Sequence, residues 1–151
     1  MTEGDQAPDF TLTASNGRTV SLKGQAGKPF VLYFYPKADT PGCTTEACAF
    51  EEAIPAFKDI AVIGVSPDAI PAIEKFARKY RLTFPLASDP DHKTAEAFGV
   101  WVEKSMYGKT YMGIERSTFL IDAKGKIARA WRKVKVDGHA ADVMTAAAAL
   151  K

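Results

Sequence analysis

This sequence has few cysteines and histidines and almost no net charge, so that its composition alone does not assign it to a functional class of protein. Its 151 residues include two cysteines and two histidines, and 20 basic residues stand against 18 acidic ones, a net charge of +2. A near balance without a basic block argues against a dedicated nucleic-acid or membrane-surface binder. No apolar run approaches membrane-spanning length, and the polar N-terminal stretch MTEGDQAPDF lacks the apolar core of a signal peptide. We therefore expect a cytoplasmic protein without nucleic-acid or membrane partners.

The rest of the composition is that of an ordinary globular protein. Apolar residues make up 46% and charged residues 25% of the chain, and a chain of this length forms a core without disulfide staples. We predict one domain over residues 1–151. Because structural disulfides are rare in the cytosol, a close pair of cysteines there is more typical of catalysis or metal binding.

Strand and helix patterns alternate along the chain. The predicted strands are Phe10–Thr13, Arg18–Leu22, Phe30–Tyr35, Ile60–Val65, Phe84–Ala87, Ser117–Ile121 and Lys126–Trp131. The predicted helices are Pro41–Phe57, Ile70–Tyr80, Thr94–Phe98 and Ala140–Leu150. Turn signals join the first two strands into an N-terminal hairpin and the last two into another. This order predicts an α/β fold with a central mixed sheet and helices on both faces.

Both cysteines lie in one short stretch, TPGCTTEAC, which runs from Thr40 to Cys48. A hydroxyl N-cap followed by proline predicts a helix start at Pro41, which places Cys43 at the third helical position. Free backbone N–H groups and the positive end of the helix dipole there favour the thiolate, which is the nucleophilic form. Cys43 is therefore the candidate nucleophile, and the alternative is a buried, inert thiol.

The spacing of the two cysteines carries a geometric consequence. In a regular helix, residues five positions apart have Cα atoms about 8.6 Å apart, whereas a disulfide spans roughly 7 Å at most. A bond between Cys43 and Cys48 therefore requires part of the helix to unwind. The alternative for Cys48 is an apolar core residue. Zinc is not predicted, since His92 and His139 show no ligand spacing to the cysteines.

The same stretch carries a family resemblance. The segment PKADTPGC, Pro36 to Cys43, resembles the Pro-x-x-x-Thr-x-x-Cys motif of peroxiredoxins, and the continuation TTEAC is similar to the peroxiredoxin Q group, also called bacterioferritin comigratory protein. Ser88–Trp101 and Tyr111–Asp122 are similar to family stretches that flank the active site. The resemblance covers most of the chain, and the Cys-x-x-Cys motif of a thioredoxin is absent. It implies a thioredoxin-like fold.

The resemblance also implies a role for each matching residue. Cys43 would be the peroxidatic cysteine, which attacks a peroxide and becomes a sulfenic acid. Cys48 would be the resolving cysteine, which condenses with it to an intramolecular disulfide. Thr40 would hydrogen-bond the bound peroxide, Pro36 would shield the thiolate from water, and Arg116 matches an arginine that the family brings in from a later strand.

Physical chemistry supports an arginine in such a site. Attack on an O–O bond develops negative charge on the leaving oxygen, and fixed donors aimed at that charge lower the barrier. The alternative for Arg116 is a surface ion pair with Glu115 or another carboxylate. Glu46, one turn after Cys43, either orients Arg116 or is a solvated carboxylate on the helix face.

Together, the pattern and the resemblance predict a monomeric thiol peroxidase without metal, flavin or haem. It would reduce hydrogen peroxide and alkyl hydroperoxides with electrons from a dithiol protein such as thioredoxin. Trp101, Met106 and Tyr107 are a candidate apolar collar over the thiol, which would favour organic hydroperoxides. Two alternatives remain open: a disulfide carrier that acts on protein thiols, and a redox-sensing interaction protein whose helix melts on oxidation.

Overall fold

The computed structural model describes residues 2–56 and 59–150. The strands are β1 (Thr11–Thr13), β2 (Thr19–Ser21), β3 (Phe30–Phe34), β4 (Ala61–Ser66), β5 (Leu86–Ser88), β6 (Trp101–Met106), β7 (Lys109–Ile114), β8 (Ser117–Ile121) and β9 (Ile127–Trp131). The helices are α1 (Pro41–Ala53), α2 (Ile70–Tyr80), α3 (Lys93–Ala97) and α4 (His139–Ala148). No helix in this part of the chain has both the length and the apolar character needed to cross a bilayer.

A five-stranded mixed sheet forms the centre of the fold, in the order β5-β4-β3-β8-β9. Strands β3, β4 and β5 run parallel, whereas β8 and β9 are antiparallel to their neighbours. The two remaining pairs, β1-β2 and β6-β7, are separate antiparallel hairpins. The mixed sheet and the N-terminal hairpin are therefore as predicted.

Strand β3 is buried over its whole length because both of its faces are covered. Its odd-numbered residues, among them Tyr33, belong to a buried cluster with side chains of α1, α2 and α4. Its even-numbered residues, among them Phe34, belong to a second cluster with side chains from the α3 region and the N-terminal segment. Helix α1, which carries both cysteines, thus lies on one face of the sheet and follows the central strand.

The observed helices differ from the predicted ones mainly at their ends. Helix α2 has the predicted bounds, and the boundaries of α3 and α4 shift by one or two residues, as is usual for frayed termini. Helix α1 ends at Ala53 and is followed by a 3₁₀ turn over Ile54–Ala56, since Pro55 lacks the N–H that a continuing helix needs. The predicted end at Phe57 lies outside the described residues.

The hairpin β6-β7 was not predicted. Its turn residues, Tyr107 and Gly108, both have positive φ, 52° and 77°, as a two-residue type I′ turn requires. Asn, Asp or Gly usually occupies the first of these positions. Because tyrosine stands there in this chain, the sequence lacks the residue pattern that normally predicts such a turn. Both strands are also largely exposed and lack the apolar run of a core strand.

Candidate active site

Helix α1 begins where the sequence predicts, with Thr40 at the N-cap and proline at the first helical position. The first backbone bond runs from the Thr44 amide to the Thr40 carbonyl, at 2.8 Å. The Thr40 hydroxyl does not cap the helix; it donates instead to the Lys37 carbonyl at 2.9 Å. The predicted side-chain cap is therefore wrong, and the lone pairs of the Thr40 oxygen remain able to accept a hydrogen bond.

The loop before α1 is tied to two other elements. Asp39, which has a positive φ of 61°, accepts hydrogen bonds from Lys79 at 3.0 Å and from Tyr80 at 2.8 Å, both at the end of α2. The Ala38 amide donates to the Asp68 carboxylate at 2.7 Å, in the loop after β4. These contacts hold the start of α1 in one position relative to the sheet.

Cys43 lies at the third position of α1 and is only 2% exposed. Arg116 Nη2 donates to its Sγ at 3.1 Å, although the two residues are 73 positions apart. Arg116 directly precedes β8, which pairs with β3 so that Ser117 lies opposite Phe34. This register brings the guanidinium to the end of β3, where α1 begins. A sulfur held between a guanidinium and a helix N-terminus is favoured as the thiolate.

Glu46 holds the arginine in place from one turn further along α1. Its carboxylate is 1% exposed, and Arg116 Nη1 donates to Oε1 at 2.5 Å. Burial raises the pKa of Glu46 to about 7, although the charge and the hydrogen bond of Arg116 pull it down. The alternative of a solvated carboxylate is therefore wrong. The alternative of a surface ion pair between Arg116 and Glu115 or another carboxylate is also wrong, because the carboxylate that Arg116 pairs with is the buried one of Glu46. Glu115 lies 3.8 Å from Arg132.

Cys48 lies on the same helix in a different environment. It is half-buried, and both cysteines are free thiols. Burial raises the pKa of the Cys48 thiol, and the carboxylates of Glu52 and Glu51 add to the shift. At neutral pH it is therefore a neutral thiol beside negative charge, whereas Cys43 faces a guanidinium. The two cysteines therefore have different environments. That of Cys43 suits a nucleophile, and that of Cys48 suits the thiol that reacts in a later step.

The candidate collar over the thiol is not formed. Tyr107 is 97% exposed and Met106 is 56% exposed, at the tip of the β6-β7 hairpin. Trp101 stacks instead on His92, with ring centroids 4.0 Å apart. Pro36 is half-buried two residues after the end of β3, in the loop that leads to α1.

Lys104, on β6, is a residue that the sequence analysis missed. It is half-buried. Burial and the charge of Arg116 lower its pKa, while Cys43 and Glu115 oppose that shift, which places its ammonium within electrostatic reach of the thiol. An isolated lysine in an exposed hairpin carries no sequence signal for such a position.

Metal ligation finds no support among residues 2–56 and 59–150, where no three His, Cys, Asp or Glu side chains converge on one point. Of the two histidines, His92 is engaged with Trp101. His139 is buried with Nε2 at 2.8 Å from the Thr118 hydroxyl, and burial lowers its pKa to about 4.

Comparison with known proteins agrees with this geometry. Residues 3–130 match the model of the AhpC/TSA family. The chain is similar to peroxiredoxin Bcp of Bacillus subtilis, with 52% identity over 143 residues that cover 93% of this chain and 91% of the relative. It is also similar to peroxiredoxin Bcp of Escherichia coli, with 46% identity over 90% of this chain and 88% of the relative.

Two solved structures are similar throughout. Bacterioferritin comigratory protein of Xanthomonas campestris, studied for alkyl peroxide reduction in trapped intermediate and ligand complexes, has a TM-score of 0.88 at 46% identity, over 93% of this chain and 90% of that one. A cysteine mutant of peroxiredoxin Q from Xylella fastidiosa has a TM-score of 0.93 at 41% identity, over 99% of this chain and 96% of that one.

Proposed function

Because this chain belongs to the AhpC/TSA family and has the thioredoxin-like peroxiredoxin fold that its sequence implies, we propose that it is a two-cysteine thiol peroxidase. One observation carries the proposal: the buried Cys43 sulfur at the start of α1 lies 3.1 Å from an Arg116 nitrogen. Glu46 holds that arginine from the same helix. A disulfide carrier would need the two thiols but not this half-buried guanidinium.

The first step transfers one oxygen atom to Cys43. Its thiolate attacks the terminal oxygen of a hydroperoxide ROOH, the S–O bond forms and the O–O bond breaks. The leaving RO⁻ takes up a proton, which gives an alcohol, or water from hydrogen peroxide, and a Cys43 sulfenic acid. Arg116 and the backbone N–H groups at the start of α1 face the charge that develops on the oxygens, and such preorganised donors lower the barrier.

Thr40 and Pro36 shape the surroundings of this step. The Thr40 hydroxyl gives its own hydrogen to the Lys37 carbonyl, so that its oxygen can accept the hydrogen of the bound hydroperoxide. This orients the peroxide with its terminal oxygen toward the sulfur. Pro36, which has no N–H to hold a water molecule, would shield the thiolate from water.

In the second step Cys48 resolves the sulfenic acid. Its sulfur attacks the Cys43 sulfur, the S–S bond forms, and hydroxide leaves and takes up the Cys48 proton as water. Because both residues lie on α1, with Cα atoms about 8.6 Å apart in a regular helix, the helix must first unwind between them. Glu46 lies within that segment, so that resolution also separates it from Arg116 and dismantles the peroxide site until reduction restores it.

A dithiol protein such as thioredoxin completes the cycle by thiol–disulfide exchange. Both required thiols are on one chain, so that a monomer is sufficient.

The proposed location follows from the chemistry and the relatives. A reducing compartment keeps structural and catalytic thiols reduced. Because the relatives at about half identity are bacterial, we place the protein in the bacterial cytoplasm. Its role there would be antioxidant.

Thiol counting tests this proposal directly. We expect fully reduced protein, freed of reductant, to lose both of its thiols for each equivalent of hydrogen peroxide or alkyl hydroperoxide consumed. Mass spectrometry of the product should show a Cys43–Cys48 crosslink. A disulfide carrier or a redox sensor without peroxidase activity would leave the peroxide unconsumed. A generic disulfide oxidant would still oxidise the thiols of such a protein.

Hydrogen exchange tests the unwinding. We expect the amides from Cys43 to Phe50 to exchange faster in the disulfide form, because the helical hydrogen bonds that begin at the Thr44 amide are broken. The end of α1 should stay protected in both forms, since Glu51 is fastened by hydrogen bonds from the Thr83 amide at 2.6 Å and the Thr83 hydroxyl at 2.7 Å.

The variant Cys48→Ser is the matched control for that experiment. It keeps the helix and cannot form the disulfide, so that peroxide should leave its exchange pattern in α1 unchanged apart from Cys43 itself. Equal protection of the Cys43–Phe50 amides in reduced and disulfide protein would mean that the helix does not unwind.

A further inference from the structure

Both ends of the segment that unwinds are fastened to one short stretch of the chain. Before α1, Asp39 accepts hydrogen bonds from Lys79 at 3.0 Å and from Tyr80 at 2.8 Å. Near the end of α1, the Glu51 carboxylate accepts hydrogen bonds from the Thr83 amide at 2.6 Å and from the Thr83 hydroxyl at 2.7 Å. These donors lie in the last turn of α2 and in the loop that follows it. The helix that carries both cysteines is therefore held on both sides of them from one place.

Thr83 is a fixed anchor, although its own side chain is exposed. The two residues beside it, Leu82 and Phe84, are buried in the same core cluster as side chains of α1 and β3. The Thr83 carbonyl accepts a hydrogen bond from Arg18 Nη2 at 3.0 Å, which ties it to the N-terminal hairpin. Core packing and a second segment thus hold the Thr83 backbone independently of Glu51, so that the anchor stays in place when the helix opens.

The two hydrogen bonds between Glu51 and Thr83 form what we call the Glu51 clamp. Both donors meet one carboxylate, and hydrogen bonds to a charged acceptor are stronger than those between neutral groups. The clamp is made by a side chain, and Glu51 lies three positions after Cys48. The backbone between Cys43 and Cys48 can therefore unwind while the clamp remains closed.

An electrostatic role for Glu51 predicts the opposite effect of its removal. Burial raises the pKa of the Cys48 thiol, and the carboxylates of Glu52 and Glu51 raise it further. Removal of either charge would favour the Cys48 thiolate, which is the better nucleophile, and would speed its attack. Glu52 is exposed and lies next to Glu51 in the chain, and it has the same charge without the hydrogen bonds to Thr83. It is therefore the natural control.

We propose that Glu51 is a positioning residue for the resolving step, because the Glu51 clamp keeps Cys48 near Cys43 while the helix between them is unwound. The inference rests on the proposed function, which supplies the sulfenic acid. A segment with both ends fixed is a short closed loop, and it holds its two sulfurs at a high effective concentration. Without the clamp, the opening spreads to the end of α1, and Cys48 reaches the Cys43 sulfur less often.

Slower resolution has a chemical consequence, because the Cys43 sulfenic acid can react with a second hydroperoxide. Its sulfur takes the terminal oxygen, the O–O bond breaks, and the products are a Cys43 sulfinic acid and water or an alcohol. The sulfinic acid is not returned to the thiol by a dithiol. The clamp therefore sets how much of the enzyme is lost to this second oxidation at a given peroxide concentration.

The variants Glu51→Ala and Glu52→Ala form a matched test. Reduced protein is mixed with hydrogen peroxide in a single turnover, and quenched samples are alkylated so that mass spectrometry counts the free Cys48 thiol. In Glu51→Ala the peroxide should disappear at the wild-type rate, since Arg116 and its contacts with the site remain. The disulfide should form about three- to tenfold more slowly, the effect of losing one or two partly exposed hydrogen bonds to a charge.

Two further measurements follow from the same samples. At a fixed excess of hydrogen peroxide, the fraction of Cys43 sulfinic acid in Glu51→Ala should rise by a factor similar to the slowing of the disulfide. Glu52→Ala should neither slow the disulfide nor raise the sulfinic fraction. Thr83→Ser keeps the hydroxyl donor and should resolve like the wild type, whereas Thr83→Val keeps only the amide donor and should lie between the wild type and Glu51→Ala.

The possible outcomes separate the clamp from its alternatives. Disulfide formation that is equally fast or faster in Glu51→Ala, or equally slowed in Glu52→Ala, would overturn the clamp. Slowing of both steps by the same factor would also overturn it, since Glu51 would then be a structural residue of the whole helix. A wild-type protein that does not consume hydrogen peroxide would instead overturn the proposed function.

Discussion

Replacement of Cys43 by serine is expected to abolish peroxide reduction, with a loss on the order of 10⁴-fold or more, as is found when an enzyme loses its nucleophile. A serine hydroxyl in the same position does not ionise at neutral pH, and it cannot form the sulfenic acid. Replacement of Cys48 by serine should leave the peroxide step within a few-fold of the wild type, because Cys48 is half-buried near Glu51 and Glu52, whereas Arg116 donates to the Cys43 sulfur.

The two variants are best compared in a single turnover, where reduced protein is mixed with hydrogen peroxide and its disappearance is followed. Under steady state, Cys48→Ser should depend on a small-molecule thiol, which can reduce the Cys43 sulfenic acid without an internal disulfide. An active Cys43→Ser protein together with an inactive Cys48→Ser protein would reverse the two assignments.

Replacement of Arg116 by methionine should slow the peroxide step by roughly 10²- to 10³-fold, which is the usual effect of removing one preorganised donor from developing charge. The guanidinium donates to the Cys43 sulfur at 3.1 Å, and the rate of the peroxide step is measured in a single turnover with hydrogen peroxide. Methionine has similar length and keeps the apolar part of the packing.

The same substitution also affects stability, because it leaves Glu46 buried without its partner. Breaking a buried ion pair on one side commonly costs about 3–5 kcal/mol. Protonation of Glu46, whose pKa burial raises to about 7, limits this cost at lower pH. Denaturant unfolding of the variant above and below neutral pH should therefore show the larger destabilisation at the higher pH.

The double variant Arg116→Met/Glu46→Gln separates the two effects. It removes both charges, so that stability should recover relative to Arg116→Met, whereas the peroxide step should stay slow. Recovery of the rate in the double variant would mean that Arg116 serves only to neutralise Glu46. An unchanged rate in Arg116→Met alone would remove the arginine from the chemistry.

Much of the site can be predicted from the sequence because it depends on interactions between residues that are close together in the chain. The start of α1 follows from a capping residue and a proline next to each other, Thr40 and Pro41, and these signals act over a few residues. The positions of Cys43 and Cys48 on one helix follow from that start, as does the need to unwind it. The buried strand β3 and the bounds of α2 follow from hydrophobic periodicity, which is equally local.

The remaining features depend on residues that are distant in the sequence. The contact of Arg116 with Cys43 and Glu46 depends on the pairing of β8 with β3, and the burial of Glu46 depends on the packing of α1 against the sheet. Glu46 is therefore an ordinary helix-face carboxylate in the sequence and the partner of an arginine in the fold. Thr40 lies at the N-cap as predicted, but its hydroxyl donates to the Lys37 carbonyl. The position of that loop is set by a distant contact, the hydrogen bond from the Ala38 amide to Asp68.

The sequence by itself determined the family, the nucleophile, its partner cysteine and the helix that carries both, because those depend on short-range hydrogen bonding, sterics and a contiguous motif. The family resemblance implied that Arg116 belongs to the site, and the tertiary structure decided how it contacts the sulfur and that Glu46 holds it there. The tertiary structure also folded the unpredicted β6-β7 hairpin through a turn with Tyr107 at a position of positive φ, and it laid the Lys104 side chain across Gly113 of the partner strand. Such contacts are set by strand register and core packing over the whole chain, and no local pattern of residues encodes them.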